Sequence, residues 1–198
     1  MKKWLFFDLG STLLDETERV NERIDATAKL LEIDTSIFRV RLDQAAKTHP
    51  YAIDMVLPNE VAWVPWAKRL DPLCPATIPV LEKLCGRYLL GVIANHGKDT
   101  VKQIGIDRFF AICTASEAVG CRKPDLRIFE IALTLANCLP KDAIMVGDRL
   151  DNDIYPAKKM GMQTIWIKQG YGGMVKERAK EYAPDFEIDS LEELLLIL

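Results

Sequence analysis

The chain has 198 residues, and its 26 Lys and Arg set against 29 Asp and Glu leave a net charge of −3. With 49% apolar and 28% charged residues it has the make-up of a folded globular protein, not of a disordered or fibrous one. A chain of this length can bury roughly 70% of its unfolded surface, enough for one core and a small inserted unit. Its faintly acidic balance, without a block of like charge, is a poor match to a phosphate backbone, so nucleic acid is not an expected partner.

In chain order, Met1-Lys2-Lys3 precedes Trp4-Leu5-Phe6-Phe7, an apolar run that stops at Asp8. That is short of the roughly 7–15 apolar residues of a signal-peptide core. No run approaches the roughly 18 apolar residues of a membrane span. The five cysteines, Cys74, Cys85, Cys113, Cys121 and Cys138, form no C-x-x-C pair and read as reduced, mostly buried thiols. The expectation is a cytoplasmic protein with no membrane association.

Short unbroken apolar runs alternate with helical patterns, which predicts β-α units around a parallel sheet. Strands are expected at 4–8, 88–94, 109–113, 143–146, 163–167 and 185–188; their lack of alternation suits strands covered on both faces. Helices are expected at 79–85, 100–105, 126–137, 154–160, 174–182 and 191–198. Between 16 and 77 the alternation lapses: Val20, Ile24, Ala28 and Leu31 recur at helical spacing, and 36–47 and 58–70 read as further helices, the last holding Trp63 and Trp66. The predicted fold class is therefore α/β, a doubly wound parallel-sheet, Rossmann-like core formed by 1–15 and 78–198, with a small helical insertion at 16–77.

Asp8 ends the first predicted strand and is followed by Leu9-Gly10-Ser11-Thr12. In open α/β sheets the ligand crevice lies outside the carboxyl ends of the strands, so a carboxylate there is accessible yet rigidly held. Asp148 follows the run Ala143-Ile144-Met145-Val146-Gly147 in the same way, with Asp151 and Asp153 close behind, and Lys123 sits in Cys121-Arg122-Lys123-Pro124-Asp125 ahead of a helix. Two strand-end carboxylates suit Mg²⁺, which favours hard oxygen ligands. A nearby lysine offsets anionic crowding and grips a phosphate as a point charge. An aspartate so placed can attack a phosphoryl group and form an acyl phosphate.

These residues, with Leu13-Leu14-Asp15, Ala94-Asn95, Ile154, Ala157 and Gly161-Met162, resemble the motifs of the haloacid dehalogenase (HAD) superfamily of phosphatases over essentially the whole chain. The resemblance implies a helical cap at 16–77 and a nucleophile at Asp8. It also implies Mg²⁺ on Asp8, Asp148 and the backbone carbonyl of Gly10, Lys123 bridging nucleophile and phosphate, and Asp153 orienting Lys123 or metal-bound water. Ala94, Asn95, His96 and Lys123 are the expected contacts of a small phosphorylated substrate.

Two positions depart from the pattern. Family phosphatases usually carry a second aspartate, the general acid and base, where this chain has Gly10, and losing such a group costs typically 10²–10⁴-fold in rate, about 3–5 kcal/mol. Ala94 stands where a Ser or Thr hydroxyl is usual. The bare Gly10 predicts a preference for phosphate esters with acidic leaving groups, or proton transfer by His96, and leaves a weakly active or inactive phospholigand-binding protein as the alternative. A dehalogenase is a further, less favoured reading. Arg122 and Arg149 read as contacts for an anionic substrate or as partners of nearby carboxylates, and Trp63 and Trp66 as packing. Cys121 has no base placed for it, and Gln169-Gly170-Tyr171-Gly172-Gly173 reads as a connection to the next helix.

Overall fold

The computed structural model describes residues 3–50, 56–58, 62–176 and 178–198. Six parallel strands, β1 (Trp4–Phe7), β2 (Leu89–Ala94), β3 (Ile112–Ala115), β4 (Ala143–Gly147), β5 (Gln163–Ile167) and β6 (Phe186–Ile188), form one sheet in the order β3-β2-β1-β4-β5-β6. The chain leaves β1 toward one edge and returns to its other side at β4, so the switch point lies between these two strands, with Phe7 opposite Val146.

Alternating residues of β1 explain the layers. Leu5 and Phe7 face one apolar cluster with Val80, Leu81 and Leu84 of α3 (Thr77–Leu84), joined by Val101 of α4 (Thr100–Gln103) and by Leu194 of the C-terminal α8 (Leu194–Ile197). Trp4 and Phe6 face the other, with Ile128, Phe129, Ala132 and Leu133 of α6 (Leu126–Leu135) and Ala157 of α7 (Tyr155–Met160). A short α5 (Ser116–Val119) links β3 toward α6 and ends at Gly120, whose φ of +70° is cheap for glycine alone. The expected α/β core is thus present, β5 with the expected bounds and the other strands with one or both edges shifted by a residue or more. The third strand starts only at Ile112, because Phe109 closes a tight turn, Asp107–Phe109.

Between β1 and α3 lie α1 (Thr17–Leu30) and α2 (Thr35–Thr48), packed through Ile24, Ala28, Phe38 and Leu42. Asp34 caps α2 by accepting the amides of Ser36 and Ile37. The helix expected at 58–70 is not found among its described residues. Pro65 lacks the N–H that a helix needs, and α1 takes both backbone groups of Val64: its amide donates to Thr27 Oγ1 (3.3 Å) and its carbonyl accepts Arg23 Nε (2.7 Å). Trp63 packs on Phe38 as expected, whereas Trp66 is 43% exposed beneath the guanidinium groups of Arg19 and Arg23.

The helix expected at 174–182 is likewise replaced, among described residues, by two tight turns, Gly172–Met174 and Lys180–Tyr182, because the Lys176 amide is bound to the Lys47 carbonyl of α2 (3.1 Å). All five cysteines are free, yet none is fully buried, and Cys85 and Cys113 are exposed, which corrects the expectation of mostly buried thiols. No described helix is long and apolar enough to cross a membrane.

Gly91 tests how tightly β2 is packed. A β-carbon there would lie 2.6 Å from the ring of the fully buried Phe6, whereas one on Gly86 meets nothing nearer than 4.0 Å. Gly91→Ala should lower stability by about 1–3 kcal/mol through overpacking. Gly86→Ala should be neutral or stabilising by up to about 1 kcal/mol. Urea denaturation of both variants checks the contrast.

Candidate active site

Four side chains from three stretches of the chain meet at the switch point. Asp8 follows β1 directly, and its amide donates to the Val146 carbonyl (2.9 Å), which pins it beside β4. Lys123 lies between α5 and α6, and its backbone is clamped by Asn95: the Lys123 amide donates to Asn95 Oδ1 (2.8 Å) and Asn95 Nδ2 donates to the Lys123 carbonyl (3.0 Å). Lys123 Nζ then stands 2.5 Å from Asp8 Oδ1 and 2.5 Å from Asp153 Oδ1, with its side chain almost wholly buried. Asp153 rides on a single wide turn, Leu150–Ile154, where its second oxygen accepts the Arg149 amide (3.0 Å). Its carboxyl leans on Gly147, where an added β-carbon would come within 2.5 Å of Asp153 Cγ, so any larger residue would displace it.

Asp148, straight after β4, completes the group. Its carbonyl accepts Trp166 Nε1 (2.7 Å), and Thr12 Oγ1 lies 3.5 Å from its Oδ1. Gly172 of the glycine-rich loop closes on it, since a β-carbon there would lie 2.7 Å from the Asp148 carbonyl oxygen. That loop, expected only as a connection, is part of the wall of the site. Carboxylate oxygens of Asp8, Asp148 and Asp153 all fall within 4.8 Å of one another.

Burial works against the Lys123 ammonium, but the charges of Asp153 and Asp8 outweigh it and raise its pKa, so it stays protonated. Burial, then the charges of Asp153 and Asp8, push the Asp148 carboxyl well above the usual range. Burial also raises Asp153, to about 6, against the pull of Lys123. Three carboxyl groups thus share one ammonium, and the cluster is short of positive charge. Hard oxygen donors with a charge deficit match what a divalent cation that prefers oxygen ligands requires.

The remaining expected residues divide. Ala94 is fully buried, its methyl in the apolar cluster. Asn95 has its side-chain amide engaged by the Lys123 backbone, so it positions the lysine. Arg149 pairs with Asp151 (2.5 Å). Arg122 lines the cleft, and Cys121 is half-buried. His96 faces Glu16: its Nε2 lies 3.8 Å from Glu16 Oε1, and its Nδ1 is buried without a hydrogen-bond partner.

Sequence reasoning missed Glu16, Arg19 and Asp71. Glu16, just ahead of α1, turns its carboxylate back over Gly10, accepts Ser11 Oγ (3.1 Å) and pairs with Arg19, which also pairs with the buried Asp71 (2.7 Å). Burial raises the Glu16 carboxyl, but the neighbouring His96 and the Arg19 charge together hold it below the usual range. Glu16 follows Gly10 by six positions at the end of a tight loop, in which the Leu9 carbonyl accepts the amides of Thr12, Leu13 and Leu14, and the sequence alone carries no signal that its side chain folds back.

A family model described as HAD-hydrolase-like matches residues 120–194. The glyceraldehyde 3-phosphate phosphatase of Pyrococcus furiosus is 39% identical, the alignment covering 99% of this chain and 92% of that one. Among solved structures, the HAD phosphatase of Thermococcus onnurineus superposes with a TM-score of 0.63 at 24% identity, covering 98% of this chain and 97% of its own. The HAD-hydrolase YfnB of Bacillus subtilis, in a crystal form bound to magnesium, superposes at 0.66 and 18%, covering 100% and 98%. With the switch-point carboxylates and the clamped lysine in place, these likenesses make the chain a member of the haloacid dehalogenase superfamily, of its phosphatase-like kind.

Proposed function

We propose that the protein is a Mg²⁺-dependent phosphatase that hydrolyses a small phosphorylated metabolite in the cytoplasm through an aspartyl phosphate on Asp8. The observation that carries this reading is the buried Lys123 ammonium held between Asp8 and Asp153, beside Asp148, at the open ends of β1 and β4. The class, a phosphoric monoester hydrolase, is that of the Pyrococcus furiosus relative, whose name extends the substrate proposal to short sugar-like phosphates.

The chemistry follows from the positions. An Asp8 oxygen attacks phosphorus and the bond to the ester oxygen breaks; water then attacks the same phosphorus and frees the Asp8 carboxylate and phosphate. Lys123 holds Asp8 in place and offsets the charge of the transferred group, and Asp153 positions Lys123. Asp8, Asp148 and the Gly10 carbonyl would hold Mg²⁺, whose charge would let an anionic phosphate approach three carboxylates. The helical segment 16–77 serves as the cap: it lends Arg19, Arg23, Trp63 and Trp66 to the cleft, where they select the substrate and exclude water. With residue 10 a glycine, ester oxygens that leave readily as anions are favoured, and an alkyl ester needs its proton from another residue.

Hydrolysis of para-nitrophenyl phosphate should require Mg²⁺ and fall to the enzyme-free background with EDTA or in Asp8→Asn; turnover that survives in Asp8→Asn overturns the reading. Asp148→Asn should abolish turnover while raising the thermal midpoint of the metal-free protein, by about 2–4 °C for each kcal/mol of buried charge relieved. Mg²⁺ should raise the midpoint of the wild type and leave that of Asp148→Asn unchanged, as differential scanning fluorimetry would show.

A further inference from the structure

The carboxylate that residue 10 does not provide is present in the same space. A β-carbon built on Gly10 would lie 2.5 Å from Glu16 Oε2, 2.8 Å from Glu16 Cδ and 2.9 Å from Glu16 Oε1. The three nearest atoms to it are therefore the Glu16 carboxyl group, which reaches back from the start of α1 into the volume that a side chain at position 10 would fill. We infer that Glu16 is the proton-transfer residue of the phosphatase reaction, an assignment that rests on the reading given under Proposed function.

Three further observations support it. Glu16 lines the same cleft as Asp8, Lys123 and Asp148, and its side chain is only 13% exposed, so water competes poorly for the proton it handles. Its position is fixed on several sides: Ser11 Oγ donates to Oε2 (3.1 Å), Arg19 pairs with Oε1, and His96 Nε2 faces Oε1 at 3.8 Å. His96 presents its second nitrogen, Nδ1, to the interior without a protein partner, so the imidazole is anchored through the Glu16 side.

The proton balance closes over one turnover. As the Asp8 oxygen bonds to phosphorus, the ester oxygen departs with its electron pair and takes a proton from the minor protonated form of Glu16, leaving an alcohol and a carboxylate. In the second half, that carboxylate takes a proton from the attacking water, whose oxygen bonds to phosphorus while the acyl-phosphate bond breaks. The products are the alcohol, phosphate and free Asp8, and Glu16 is protonated again.

The assignment predicts an unusual pattern of substitutions. Glu16→Gln keeps the size of the side chain and should reduce kcat on a primary alkyl phosphate by about 10²–10⁴-fold. On para-nitrophenyl phosphate, whose leaving group needs no donor, the same variant should show a stopped-flow burst of one equivalent of nitrophenolate per enzyme. Slow turnover should follow, with a phosphoryl group trapped on the protein and visible by intact mass. Gly10→Asp alone forces two carboxylates into one volume and should lower the thermal midpoint, whereas Gly10→Asp with Glu16→Ala should recover both the midpoint and at least a tenth of the wild-type kcat.

Two results overturn the assignment while leaving the phosphatase reading intact. One is an active wild type whose Glu16→Gln variant keeps alkyl phosphatase activity within threefold. The other is an equal loss on both esters, without a burst and without rescue by the double substitution; that marks Glu16 as a purely structural partner of Arg19. A wild type inactive on every phosphate ester overturns the phosphatase reading itself, and this assignment falls with it.

Discussion

A buried ammonium ion between two buried carboxylates is the constraint around which this molecule is arranged. Lys123 Nζ contacts both Asp8 and Asp153 at 2.5 Å with almost no exposure to water. Removing such charges from solvent costs several kcal/mol per ion, and the cost is offset only where the geometry is close and each remaining lone pair or proton is satisfied. The surrounding sequence supplies that geometry. Asn95 clamps the lysine backbone from both sides, Gly147 gives Asp153 room, and the Arg149 amide satisfies the second oxygen of Asp153. Three chain segments far apart in sequence are thereby locked to one another at the switch point of the sheet.

The triad is neutralised incompletely. Asp148 adds a third carboxyl group with the weak donor Thr12 at 3.5 Å and no cation of its own within hydrogen-bond reach among the described residues, and its raised pKa reflects that surplus. A protein that needed only stability would gain by an amide at this position. A structure that keeps the carboxylate, with Trp166 and Gly172 closed around it, suits the positively charged ligand proposed for the mouth of β4.

The sheet was legible in the sequence because its strands are covered on both faces and read as unbroken apolar runs, Leu5-Phe6-Phe7 and Ile144-Met145-Val146 above all. The strand-end carboxylates were legible for the same reason, since the end of an apolar run fixes where a polar residue emerges, whereas Lys123 was legible through the stretch Arg122-Lys123-Pro124-Asp125 ahead of a helix. What failed did so through tertiary competition for backbone groups. Residues 62–70 are rich in apolar side chains, but Thr27 and Arg23 of α1 take the amide and carbonyl of Val64. Lys47 takes the amide of Lys176 and prevents a helix there. Neither partner is visible from local pattern. Glu16 was missed because its role is spatial: nothing in the spacing of Gly10 and Glu16 says that the side chain folds back.

Where the proposed proton-transfer carboxylate is rooted has a mechanical consequence. A side chain on residue 10 would be carried by the loop directly after β1 and would stay registered with Asp8 whatever the helical segment did. Glu16 is instead carried by the residue that opens α1. Arg19, its partner, is tied in turn to Asp71 on the strand-like return path, where Asp15 N bonds the Pro72 carbonyl (2.8 Å) and Cys74 N bonds the Leu13 carbonyl (2.9 Å). The two connections between helical segment and sheet therefore meet at the carboxylate. Asp8, the proposed nucleophile, belongs to the sheet and Glu16, the proposed proton-transfer residue, to the junction, so on that proposal the register between these two parts of the fold, set by the Arg19–Asp71 pair, determines whether both halves of the chemistry are assembled over one phosphate.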